Sequence, residues 1–114
     1  MAYIEDDTPV IALSTAADIL KIKPRTLRMY EEKKLLPSNN GGVKKLYSLN
    51  DLKFIGFIHY LAGYKRVNAS GIKFIIEECL PKLSTEEKEK LYKDAQTVIE
   101  GKEEDSDIEP DKFY

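Results

Sequence analysis

The sequence has one cysteine, one histidine and no tryptophan in 114 residues. Cys79 alone forms no intramolecular disulfide and builds no multi-cysteine metal cluster, so neither an extracellular staple nor a zinc knot is expected, and the setting expected is cytoplasmic. No apolar run approaches the ~18 residues of a membrane span. The start, Met1-Ala2-Tyr3 and then Glu5-Asp6-Asp7, lacks the basic and apolar regions of a leader peptide. Membrane insertion and secretion are therefore not expected. Catalytic chemistry is thin as well. His59 sits among Phe57, Ile58, Tyr60 and Leu61 as a core or boundary residue. Cys79 has no histidine at a recognisable motif distance and reads as a small apolar filler. Gly41-Gly42 lacks the Lys-Ser/Thr of a phosphate-binding loop and serves a turn. Neither an enzyme, a metal site nor a cofactor is expected.

What is present is charge, unevenly spread. Eighteen bases against twenty acids give a net charge of −2, but residues 1–20 sum to −4, residues 21–53 to +6, residues 54–83 to +2 and residues 84–114 to −6. A basic middle lies between acidic ends, and local charge is what a polyanion meets. A chain of this length buries only about two-thirds of the surface its unfolded form exposes, so association with a second copy is an expected source of stability.

The local signals predict a mainly helical chain. Thr15 and Asp18 mark a helix start ahead of Ile19 and Leu20. Pro24 suits the first position of a second helix running to about Lys33, with Leu27 and Tyr30 on one face and Arg25 and Arg28 on another that points outward. Leu35-Leu36-Pro37 closes it. Ser38-Asn39-Asn40-Gly41-Gly42 is a dense turn signal, and Val43–Tyr47 reads as the returning strand of a hairpin, a wing that carries Lys44, Lys45 and Tyr47. Ser48 and Asp51 start a third helix, which Gly63 interrupts; Asn68 or Ser70 caps a fourth, which Pro81 stops. Ser84 and Glu87 form a capping box for a fifth, whose Leu91, Tyr92, Ala95, Val98 and Ile99 make an apolar stripe. Residues 101–114 are rich in Asp and Glu and read as an acidic disordered tail. With little left to cover the stripe, Leu91, Ala95, Val98 and Ile99 are the expected dimerisation residues. The alternative is that this helix folds back on its own domain.

A short helix pair at a tight corner, followed by a basic wing, suits duplex DNA better than RNA, since no aromatic strand pair or Gly-x-x-Gly clamp appears. Through Ser14-Thr15-Ala16-Ala17, Thr26-Leu27-Arg28-Met29-Tyr30-Glu31, Leu35-Leu36-Pro37 and Lys45-Leu46-Tyr47-Ser48, the chain resembles the MerR family of winged helix-turn-helix transcription factors over about residues 10–80. The resemblance implies that Thr26–Glu31 lies on the recognition helix, that Lys45 and Tyr47 grip phosphate after the wing loop, and that a long C-terminal helix forms an antiparallel homodimer. Lys45 stands where the family has Arg, which keeps the charge and loses the planar fork, and Met29 stands where many members carry a second aromatic. Val67-Asn68-Ala69-Ser70-Gly71-Ile72-Lys73-Phe74-Ile75-Ile76 resembles a Val-Asn-x-x-Gly-Ile-x-x-Ile stretch of the heat-shock and nitrogen-metabolism repressors of the family.

The expected organisation is therefore an N-terminal arm (1–9), a winged helix-turn-helix domain (10–80), a dimerisation helix (84–100) and the acidic tail (101–114). The expected DNA-binding set is Thr15, Lys23, Arg25, Thr26, Arg28, Tyr30, Lys44, Lys45 and Tyr47, with Arg25 facing either base edges or phosphate. By resemblance, the chain is a dimeric repressor of heat-shock or chaperone type at palindromic operators, without an appended effector domain; its further partners would be a chaperone corepressor or RNA polymerase. The alternatives are a chaperone-modulating adaptor that does not bind DNA, an architectural factor of a mobile element, and a nitrogen-metabolism or metal- or redox-responsive regulator.

Overall fold

Strand β1 (Ile11–Ala12) runs straight into helix α1 (Leu13–Leu20). In this computed structural model, which describes residues 8–37, 46–101 and 113, the chain divides into two units at Ile55/Gly56. That boundary falls inside α3, Leu49–His59.

In the first unit, α1 begins two residues before the expected Thr15. Ala12 is its N-cap, whose methyl group can make no side-chain capping bond. The ladder is antiparallel to β2 (Leu46–Tyr47), in the register Ile11↔Tyr47 and Ala12↔Leu46, and is continued by the Val10 amide donating to the Tyr47 carbonyl at 3.1 Å. The strand expected before Ser48 thus exists. Its partner among the described residues is β1, which sequence inspection did not register as a strand. The rest of the expected wing, residues 38–45 with Lys44 and Lys45, lies outside the described residues.

Helix α2 (Pro24–Glu32) starts on the expected proline and packs against α1. Both helices end on a lysine in the left-handed region, Lys21 with φ 57° and Lys34 with φ 61°. The pattern is the same twice. The Lys21 amide donates to Asp18 and that of Ile22 to Ala17; the Lys34 amide donates to Glu31 and that of Leu35 to Tyr30. This is the paired closure that usually recruits glycine. It turns Ile22 and Leu35 inward, where they are buried with Ala16, Leu27 and Tyr30.

Helix α3 opens on the predicted reciprocal cap: the Ser48 amide donates to Asp51 Oδ2 at 2.9 Å and the Asp51 amide to Ser48 Oγ at 3.0 Å. In the second unit, Gly63 does not break the helix. It is buried in a π-helical turn, Tyr60–Tyr64, that prolongs α3, and the chain leaves at Arg66, with φ 57°. Asn68 caps α4 (Ala69–Phe74) by accepting from the Gly71 amide at 2.9 Å. The helix expected to reach Leu80 changes pitch at Ile75, passing through a second π-helical turn (Ile75–Cys79) and a 3₁₀ turn (Leu80–Lys82). Pro81 has no N–H to continue an α register, and its ring crowds the carbonyl four residues back. Helix α5 (Thr85–Glu100) carries the complete Ser84/Glu87 capping box. The Ser84 amide donates to Glu87 Oε1 at 2.9 Å, which holds the Glu87 carboxyl below its ordinary pKa. The helix packs on the Tyr60–Tyr64 turn. Of the stretch expected to be an acidic tail, residues 102–112 and 114 lie outside the described residues, and Phe113 is 3 % exposed.

Candidate nucleic-acid interface

The expected DNA-facing residues fall into two groups in the first unit. Thr15, Lys23, Arg25 and Arg28 lie exposed on α1, α2 and the corner between them. The three-residue spacing of Arg25 and Arg28 places both on the outer side of α2, while Leu27 and Tyr30 are wholly buried on its inner side. Both sides of α2 therefore follow the predicted periodicity. Its N-terminal proline removes an amide that has no helical partner, and Pro24, Arg25 and Arg28 are all exposed.

Thr26, Tyr30 and Tyr47 belong to the other group. All three are buried, with their side chains packed in the first unit. Tyr47, for which the resemblance implies a phosphate contact, is 1 % exposed. Its hydroxyl donates to Glu31 Oε2 at 3.3 Å, across 16 residues of sequence. Burial first, then the charge and hydrogen bond of Glu31 and the charge of Asp51, push the phenol up to about pKa 12. At neutral pH it is a fixed, uncharged donor. Lys44 and Lys45 lie outside the described residues.

Three residues of the first unit were not singled out by the sequence. Glu31 shows no local signal for its role, because its partner is far away in the chain. Lys21 and Lys34 occupy positions where glycine would have announced a helix end. Only the apolar Ile22 and Leu35 that follow them hint at it.

In the second unit, His59 is buried with its ring edge-on to Tyr64 at 5.9 Å, and Cys79 is exposed rather than packed as filler. Among the described residues no group of three or more His, Cys, Asp or Glu is placed to hold a metal ion, and no helix is long and apolar enough to cross a membrane. The Lys65 ammonium lies 5.7 Å from the Tyr60 ring centroid. On α5 the expected stripe divides. Ala95 is 2 % exposed, whereas Leu91 and Val98 are 37 % and 38 % exposed.

Comparison with known proteins agrees with this geometry. The pattern of the MerR HTH family regulatory protein matches residues 11–79, from the first strand to the exposed cysteine. A protein of Streptomyces coelicolor described as heat shock protein HspR is 35 % identical over 75 residues, covering 65 % of this chain and 50 % of its own length. The chain thus spans about half the length of that curated relative. No solved structure matches. With more than half of its residues matched, helix pair, paired strands and following helices included, the chain belongs to the MerR family of helix-turn-helix regulatory proteins.

Proposed function

We propose that the protein is a dimeric, sequence-specific regulator that binds double-stranded DNA in the cytoplasm and represses genes of heat-shock or chaperone type from palindromic operators. The carrying observation is α2, with Arg25 and Arg28 exposed on one side and Leu27 and Tyr30 buried on the other, in a chain of this family. A helix held in this way by its inner face can enter a major groove with its N-terminal half. Arg28 then positions on phosphate, and Arg25 reaches either phosphate or a guanine edge. The similarity to a heat shock protein of Streptomyces coelicolor supports the heat-shock branch. A chaperone corepressor or RNA polymerase is the further partner this branch suggests. Residues 10–80 are proposed as the DNA-reading part and residues 84–100 as the pairing helix.

Selection of bound sites from a random duplex pool by the full chain tests this function. The expected result is a palindromic consensus whose affinity falls steeply as salt rises, because each neutralised phosphate releases counterions. No enrichment, or binding indifferent to salt, overturns it.

A further inference from the structure

We propose that Tyr47 and Glu31 form a positioning pair that fixes the strand at the base of the wing against the recognition helix, and that this pair sets how well the protein distinguishes its operator from other duplex. The inference rests on the DNA-binding function proposed above, and it assigns Tyr47 a role other than direct phosphate contact.

Tyr47 is held at both ends. Its backbone lies in the β1–β2 ladder, opposite Ile11 and bonded to Val10. Its hydroxyl donates to Glu31 on the last turn of α2, one turn beyond Arg28. The side chain joins the strand that follows Lys44 and Lys45 in sequence to the helix that carries Arg25 and Arg28. With the residue 1 % exposed, the ring reaches a phosphate only by leaving the core. The hydroxyl also lies in the field of two carboxylates, Glu31 and Asp51. A phosphate there would add a third anion to the same neighbourhood, which the positive face of α2 avoids. The elevated phenol pKa agrees, since it records an environment that already resists negative charge. At 3.3 Å the bond is long for a hydroxyl donating to a carboxylate, so it contributes modestly to folding. Its directional constraint is what matters: two elements that touch DNA separately must keep one spacing for both to reach their sites together.

The test uses the full chain, its selected operator and a scrambled duplex of equal length, each titrated across a range of salt at a temperature where every variant is folded. Tyr47→Phe removes the donor and keeps the ring. It is expected to weaken operator binding about tenfold, to leave scrambled-duplex binding unchanged and to leave the salt slope unchanged, because no cation–phosphate contact is lost. Glu31→Ala should lower the operator-to-scrambled ratio to the same extent, and adding Tyr47→Phe to it should cost no more than twofold further, as for two groups that act through one contact. Glu31→Gln keeps an acceptor and should retain the ratio; it also serves as the second variant should Glu31→Ala fail to fold. Equal losses on both duplexes in Tyr47→Phe, additive losses in the double variant, or a ratio lost as fully in Glu31→Gln as in Tyr47→Phe each overturn the pair. A salt slope that flattens in Tyr47→Phe assigns it a direct part in phosphate binding and also overturns it. Failure of the unaltered protein to bind any duplex overturns the DNA-binding function itself and the pair with it, so the two failures are distinguishable.

Discussion

The ring of Tyr92 on α5 lies 5.4 Å from that of Phe57, tilted by 51°, on the side of the last helix that faces inward. Tyr92 and Ala95 turn toward their own unit, while Leu91 and Val98 remain partly exposed. One edge of the stripe thus folds back on its own unit, and the other, Leu91 and Val98, stays at the surface. If that outer edge pairs two copies, replacing Leu91 and Val98 by Glu places like charges across the two-fold axis and prevents association. Sedimentation at tens of micromolar should find a mass twice 13.0 kDa for the unaltered protein and a single-chain mass for Leu91→Glu/Val98→Glu, with the helical signal retained. A single-chain mass for both would remove the dimer.

Arg25→Ala and Arg28→Ala separate the roles of two neighbouring cations. Each should flatten the dependence of log affinity on log salt by about 1.8 per dimer, two phosphates at about 0.9 each, if its guanidinium meets phosphate. Arg28→Ala is expected to weaken operator and scrambled duplex alike. Preferential loss of operator binding in Arg25→Ala, by about 1–3 kcal/mol, would identify a base contact. No change in either variant would remove α2 from the interface.

Lys21 and Lys34 adopt φ values of 57° and 61°, where a Cβ costs roughly 1–2 kcal/mol that glycine avoids. Part of the gain from substitution is lost because a cation near a helix C-terminus is itself favourable by about 0.3–1 kcal/mol and because glycine loosens the unfolded chain. Lys21→Gly and Lys34→Gly should each raise stability by about 0.5 kcal/mol, read as a higher Tm, while lowering DNA affinity through the lost charge. A fall in Tm would show that the lysine side chains hold these corners in another way.

The phenol of Tyr47 is raised from 10 in the unfolded chain to about 12 in the folded one. Folding therefore retains its proton. The stability this supplies is complete below pH 10 and is lost as pH rises through 12, where the unfolded chain has released a proton that the folded chain still holds. Denaturant unfolding at a series of alkaline pH values should show a shallower decline for Tyr47→Phe than for the unaltered protein between pH 10 and 12. Parallel declines would show that the hydroxyl does not have this environment.

Gly71 tests the second unit. Alanine favours a helix interior over glycine by about 1 kcal/mol, yet a Cβ here would stand 2.8 Å from Val67 Cγ1 and 3.1 Å from Asn68 Oδ1. Valine is stiff at χ1, and Asn68 is the cap that accepts from the Gly71 amide, so neither neighbour yields cheaply. Gly71→Ala should lower Tm despite its better propensity; a rise would mean that Val67 moves aside.

The parts of the fold legible in the sequence are those whose cause lies within a few residues. Pro24 starts α2, Ser48 with Asp51 starts α3, and Ser84 with Glu87 starts α5, because a missing amide or a side chain reaching three residues along the chain satisfies the helix terminus locally. The opposed faces of α2 follow from its helical period, so Arg25 and Arg28 were legible too. The family itself rests on such short patterns.

Tertiary structure decided the rest. β1 has only two residues and no recognisable period, and it exists because Tyr47 and Leu46 pair with it from far along the chain. The π-helical turn at Tyr60–Tyr64 carries no sequence signal, whereas the one at Ile75–Cys79 leads into the 3₁₀ turn that holds Pro81. Tyr47 was legible as important and was assigned to the surface. Only the return of β2 to β1 buries its ring and brings its hydroxyl to Glu31. A residue's chemical type is written locally, but the direction its side chain faces depends on partners that the folded chain alone brings together.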